Sequence, residues 1–337
     1  MKLTKSMIPL AVMSALGLGF ANQASASVYG VSTLEINNLS IVVSPAAGAT
    51  IRNFNYNLTN TAFLNGVGGA TNATCSGTPG LGGTTNNCGG LIALDAPVYN
   101  APGSTVVAAE NSFALQGPGA NQYSRADSVI YDSQLTLDAV THQQQIAESE
   151  LQSGTSASAA SVIQSVTGFT FTFTVEQPGS LTLSFDASAY LEASSNDPNG
   201  TNQAAQANIA LIGSLARDSG GYLWQWTPDG TVNTNCIAAG AGASCTETAD
   251  ADAIGSNSVG VSTDPASDIF TTSGFGSYSV TFNGLTAGDH TFTLRSETST
   301  NLSRTPAVPE PEIMLLLGIA LTGFSLNMRR NRKSIAA

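Results

Sequence analysis

Both tryptophans of the chain stand two residues apart in YLWQWTPDG, residues 222–230, and Tyr222 precedes them at the same interval. Alternate residues of a strand share a face, so Tyr222, Trp224 and Trp226 would align their rings. Exposed, three such rings form a platform on which sugar rings stack, the basis of a carbohydrate-binding module. Buried, they are core, the commoner use of large aromatics. The two histidines, His142 and His290, lack any neighbouring motif that would set them against a serine nucleophile. The GxSxG, HExxH, phosphate-loop and dinucleotide fingerprints are missing. His290 follows a turn signal and is expected on the surface. Asp186 and Glu192 have the residue types of a glycosidase pair, but 21 acids in the body supply such pairs by chance. SSNDPNGTN, residues 194–202, offers Asp197 and Asn199 to calcium without the full EF-hand pattern. It reads first as an Asn/Asp/Gly turn. No catalytic residue and no metal site is assigned, a secreted hydrolase is the least supported reading, and calcium is the one cofactor left open.

The cysteines are Cys75, Cys88, Cys236 and Cys245. An even count in an exported chain points to disulfides. The pairing Cys75–Cys88 with Cys236–Cys245 is expected, because each pair brackets a short loop rich in small residues that cannot build its own core. A zinc site is disfavoured by the absence of CxxC spacing and of nearby histidines.

The elements that must position these residues are strands. VYGVSTLEINNLSIVV (28–43), IRNFNYNL (51–58), LIALDAPVY (91–99) and AAQANIALIGSL (204–215) are read as strands. GFTFTFTVEQPGSLTLSF places Phe169, Phe171, Phe173 and Val175 on one side and resumes with Leu181, Leu183 and Phe185. A turn at Gln177–Ser180 makes this a predicted hairpin. SYSVTFNGLTAGDHTFTLRSE (277–297) repeats the design. The glycine-rich stretch 63–90 is expected to be a long loop, and the good helix formers of THQQQIAESEL allow a helix near 130–150. The expected fold is mainly β: an antiparallel sandwich, jelly-roll-like, with at most one or two short helices.

Both ends differ from this body. Lys2 and Lys5 precede an apolar stretch from Met7 to Phe20 and then Ala24-Ser25-Ala26. That is the layout of a secretory signal peptide over residues 1–26, read by the Sec machinery. The body, 27–304, holds five arginines; with 21 acids, its formal net charge is −16. Such a charge repels phosphate backbones, which argues against nucleic-acid binding. At the other end an uncharged run from Ile313 to Met328 is short for a membrane span. Arg329, Arg330, Arg332 and Lys333 follow as a basic stop, which keeps the tail cytoplasmic and the body outside.

Val308-Pro309-Glu310-Pro311, the short apolar helix 313–328 and the arginine-rich tail together resemble the PEP-CTERM sorting signal, here residues 305–337. The resemblance implies export in a Gram-negative bacterium, transient inner-membrane anchoring and processing by exosortase. It also implies a final place on the cell surface or in an exopolysaccharide-rich biofilm matrix, as a structural or adhesive component and not as an enzyme. SRADSVIYD, IAESELQSG, TGFTFTFTV and LTLSFDASAYLEA, in that order, are similar to one group of exosortase-dependent surface proteins. That likeness implies a shared fold and no particular reaction.

Overall fold

The computed structural model describes residues 27–45, 49–80, 83–86, 93–131, 141–152, 157–164, 169–196, 203–220, 223–262 and 265–305. The expected signal peptide, the expected sorting signal beyond Thr305, Tyr222, Cys88, Asp197 and Asn199 lie outside them. Among the described residues there are 18 strands and no helix. In chain order the first six are β1 (Ser27–Ser44), β2 (Ala49–Leu64), β3 (Val67–Gly80), β4 (Gly83–Asn86), β5 (Ala93–Asn100) and β6 (Tyr123–Tyr131). Next come β7 (Thr141–Gln152), β8 (Ala157–Gln164), β9 (Phe169–Val175), β10 (Gly179–Asn196), β11 (Gln203–Arg217) and β12 (Leu223–Trp226). The last are β13 (Cys236–Ala239), β14 (Ser244–Asp250), β15 (Ser256–Val261), β16 (Ala266–Thr271), β17 (Gly276–Leu285) and β18 (Gly288–Arg304).

All pairings are antiparallel, and the strands form two sheets. The first runs β14-β17-β10-β1-β7-β6-β5, with β16 also on β10. The second runs β13-β12-β11-β18-β8-β2-β3-β4, with β15 on β11 and β9 between β18 and β2. Their inner faces enclose one apolar core. The expected sandwich is therefore what the chain forms.

The two predicted hairpins are not hairpins. β9 lies in the second sheet and β10 in the first; β17 lies in the first and β18 in the second. Each turn carries the chain across the core, so the two arches nest, β9 pairing β18 and β10 pairing β17. Alternation fixes which side of a strand is apolar, and an arch satisfies that as well as a hairpin does. The inward rings meet: Phe171 lies 5.3 Å from Phe292 by ring centroids, and Phe282 and Phe185 reach across the core to Phe292 and Trp226 at 6.4 and 5.8 Å. The outward threonines pair along the sheets, Thr170 with Thr293 at 3.2 Å and Thr182 with Thr281 at 2.9 Å.

Two other expectations are corrected. The helix allowed near 130–150 is strand β7 from Thr141 onward; both its neighbours, β1 and β6, supply ladder partners along most of its length. The stretch 63–90, expected to be a loop, contains β3 and β4. Its glycines suit that place, because a Cβ on Gly69 would come within 2.6 Å of the Tyr99 hydroxyl on facing β5.

Both ends of the body leave from the same end of the sandwich. Ser27 pairs with Gln152 and Asn196, while Arg304 pairs with Ala157 and Gln203. The Ser195 hydroxyl donates to Gln203 Oε1 at 2.6 Å, joining the two sheets there.

Candidate functional site

The connection from β5 to β6, residues 101–122, has no regular structure, and it folds back over the outer face of the first sheet. Val106 and Phe113 from it pack on Tyr29, Val31, Tyr123 and Ile146, a cluster separate from the main core. β6 and β7 are thereby buried on both faces. Their outward residues under the loop include Arg125 and Asp127 on β6 and Glu148 and Glu150 on β7, all fully or almost fully buried.

Glu148 is the hub. Its carboxylate accepts from Arg125 Nη2 at 2.6 Å and Nε at 2.8 Å, and from the Tyr29 hydroxyl at 2.7 Å. It also accepts from the Gln116 and Gly117 amides at 3.0 and 2.9 Å. Arg125 in turn donates to the Ser112 and Ala114 carbonyls at 2.8 and 2.6 Å. Glu150 accepts from the Gly119 amide at 2.7 Å. A buried ion pair is tolerated when its remaining hydrogen-bonding groups are satisfied, and here the loop backbone satisfies them. Burial, followed by the Glu148 charge, raises the Tyr29 and Tyr123 hydroxyls far above the usual phenol range. Burial pushes the Glu150 carboxyl up to about 7; the Gly119 and Gln152 hydrogen bonds oppose the shift and Glu148 adds to it.

Beside this network three carboxylates converge. Asp95 on β5, Glu110 on the loop and Asp127 on β6 bring one oxygen each within 4.8 Å of one another. Asp127 is fully buried, Asp95 half-buried and Glu110 exposed at the mouth. Amides contact all three: Val98 N–H on β5 donates to the loop's Glu110, while from the loop Ser112 N–H donates to Asp127 Oδ2 at 3.2 Å and the Asn111 side-chain amide to Asp95 Oδ2 at 2.5 Å. Asp127 Oδ1 and Asp95 Oδ1 are buried with no hydrogen-bond partner. Burial, then the charges of Glu110 and Asp95, push the Asp127 carboxyl up to about 7, against the Ser112 hydrogen bond. Burial also raises Glu110.

None of these three acids was singled out from the sequence. They are 15 and 17 residues apart, with no ligand spacing to mark them. A signal was present in SRADSVIYD, where Arg125 and Asp127 hold alternate positions of a strand otherwise free of charge.

The residues that were singled out fall elsewhere. Trp224 and Trp226 are fully buried. Trp224 Nε1 donates to the Ser244 carbonyl at 3.1 Å and Trp226 Nε1 to the Glu247 carboxylate, both on β14. They close one edge of the sandwich between its sheets, and neither indole face is open to a sugar; of the two uses open to these rings, Trp224 and Trp226 take the core one. The Cys236–Cys245 disulfide forms as expected and joins β13 to β14 at that same edge. Cys75 is disulfide-bonded, and its expected partner Cys88 lies outside the described residues.

His290, expected on the surface, is fully buried, stacked on Phe173 at 5.5 Å with Nε2 against the Thr286 carbonyl at 2.9 Å. His142 is half-buried beside Glu35 at 3.4 Å and edge-on to Tyr131. Asp186 and Glu192 both stand on β10, six residues and so about 20 Å apart along the strand. That separation exceeds what a glycosidase pair uses. Asn38 and Ser277 each donate to Asp186 at 2.8 Å and hold its carboxyl below the ordinary value.

Residues 307–331 match the family model described as the PEP-CTERM protein-sorting motif. They include Val308, Pro309, Glu310 and Pro311 and the first arginines of the basic stop, Arg329 and Arg330. The chain thus carries a signal for exosortase-dependent sorting to the cell surface. No curated protein and no solved structure matches the chain.

Proposed function

We propose that this is a non-enzymatic structural or adhesive protein of an extracellular polysaccharide matrix. In this reading it leaves a Gram-negative cell by the Sec route and is held briefly in the inner membrane by the run 313–328. Exosortase then processes it. The observation that carries the reading is the PEP-CTERM motif at 307–331, placed directly behind the last strand of a folded β body.

Two further features support it. The body carries a net charge of −16, which keeps a secreted protein soluble and gives it a means of associating with polymers through cations. Ser27 and Arg304 stand at one end of the sandwich, so an anchored body would present the opposite end, with the turns near residues 176–178 and 286–287, away from the membrane.

The test is co-fractionation of the native protein with matrix. In a strain making exopolysaccharide the protein should sediment with the polymer. In an isogenic strain unable to make it, the protein should pass into the soluble medium. Equal release from both strains would remove the matrix role.

A further inference from the structure

We infer that Asp95, Glu110 and Asp127 form a binding site for one divalent hard cation, calcium, which clamps the 101–122 loop onto the first sheet. The inference rests on the folded body and is independent of how the chain is sorted.

An acidic cluster alone is unremarkable on so acidic a protein. This one differs in what lies at its base. Asp127 is fully buried, yet its Oδ1 has no hydrogen-bond partner; Asp95 is half-buried, and its own buried Oδ1 has none either. A buried carboxylate normally has each oxygen satisfied, and an unsatisfied one costs free energy that a ligand can recover. Arg125, two residues from Asp127 on β6, is already committed to Glu148 and two loop carbonyls. The three acids are therefore left without a dedicated cation from the protein.

Size and chemistry agree. Calcium binds oxygen at about 2.3–2.6 Å, so ligands on opposite sides of one ion stand about 4.6–5.2 Å apart. The three oxygens lie within 4.8 Å of one another and fit one coordination sphere. The donors are carboxylates, and no histidine or cysteine takes part, which selects a hard ion over zinc or copper. The Asn111 amide beside Asp95 supplies a further oxygen if it turns about its last bond. Calcium tolerates such an irregular, mixed set, whereas magnesium demands a near-ideal octahedron. Glu110 is exposed, so the cluster is open to solvent on that side. Because the ligands come from β5, the loop and β6, filling the site joins the edge strand, its neighbour and the segment lying over them.

The experiment uses the full-length chain in detergent, stripped with a chelator and then equilibrated with radioactive calcium by dialysis. Saturable binding is expected in the range of extracellular calcium modules, about 10⁻⁴–10⁻³ M. Glu110→Gln and Asp127→Asn should each remove one bound ion per chain or weaken it at least about tenfold. Calcium should also slow proteolytic cutting within residues 101–122 in the wild type but not in Glu110→Gln. If Asp127→Asn fails to fold, Glu110→Gln, an exposed loop change, carries the test alone. Absence of saturable binding up to about 10 mM, well above the expected range, would overturn the proposal. So would binding unaltered in both variants, or a site that takes magnesium in preference to calcium.

Discussion

The two halves of the sandwich are held together by different means. Around β9, β10, β17 and β18 the space between the sheets is filled with rings: Phe171, Phe173, Phe185, Phe282 and Phe292, all buried. Around β6, β7 and the C-terminal part of β18 the same layer is polar. Ser124 meets Ser149 at 3.0 Å, Ser149 meets Thr300 at 3.0 Å, and Gln143 and Gln145 both donate to Ser296 at 2.8 and 2.9 Å. The outer face of that half adds a buried ion pair under a loop. The aromatic half depends on area removed from water, which is non-directional. The polar half depends on every donor finding an acceptor, so one deletion strands several partners.

The largest effect expected from this contrast comes from a pair of variants. Phe292→Ala removes a central ring and should cost about 3–5 kcal/mol. Glu148→Ala leaves the Arg125 charge buried without its partner and should cost about 3–5 kcal/mol as well. Denaturant titration will show similar losses, but the local consequences differ. Glu148→Ala also releases the Gln116 and Gly117 amides, so limited proteolysis should cut faster within residues 101–122. Phe292→Ala should leave that loop's rate unchanged under native conditions. Equal loop cutting in both variants would erase the distinction between the halves.

A smaller effect lies in pH. Glu150 has a folded-state carboxyl raised to about 7 from an ordinary 4.5. A raised acid favours the folded state while protonated, so its contribution is complete below about pH 4.5 and fades as pH rises toward 7. Stability measured in chelator should therefore decline across that interval. Glu150→Gln should make the decline shallower, and Asp127, raised to about 7 as well, retains its own share. An identical slope in wild type and variant would show that Glu150 is not held protonated by its surroundings.

The same contrast explains what could be read from the chain. The aromatic half announces itself, because Phe-Thr-Phe-Thr-Phe is period two and every second residue is apolar. Its partners were not legible, since alternation does not say to which sheet a strand belongs, and two arches were expected as hairpins. In the polar half hydropathy misleads. THQQQIAESEL hides a strand because Gln143, Gln145, Glu148 and Glu150 are buried, and their burial depends on residues far away in sequence that satisfy them. β3 was hidden by its glycines, one of which, Gly69, makes room for Tyr99. The tryptophans were correctly placed on a strand, but whether that strand faced solvent depended on β14, about twenty residues downstream. The acidic cluster needed three separate segments to meet. The sorting signal, a contiguous stretch matched at 307–331, depends on no tertiary context and was legible as it stands.

That signal also supplies the most direct test of where the protein goes. Intact mass and cell fractionation should be measured for the native chain in a host with exosortase and in one from which the enzyme has been deleted. With exosortase present, the body should appear at the cell surface or beyond with its C-terminal segment processed. Without it, or with Pro309 and Glu310 both changed to Ala, the chain should remain in the inner membrane with its tail intact. The same mass and the same location in both hosts would contradict exosortase-dependent sorting.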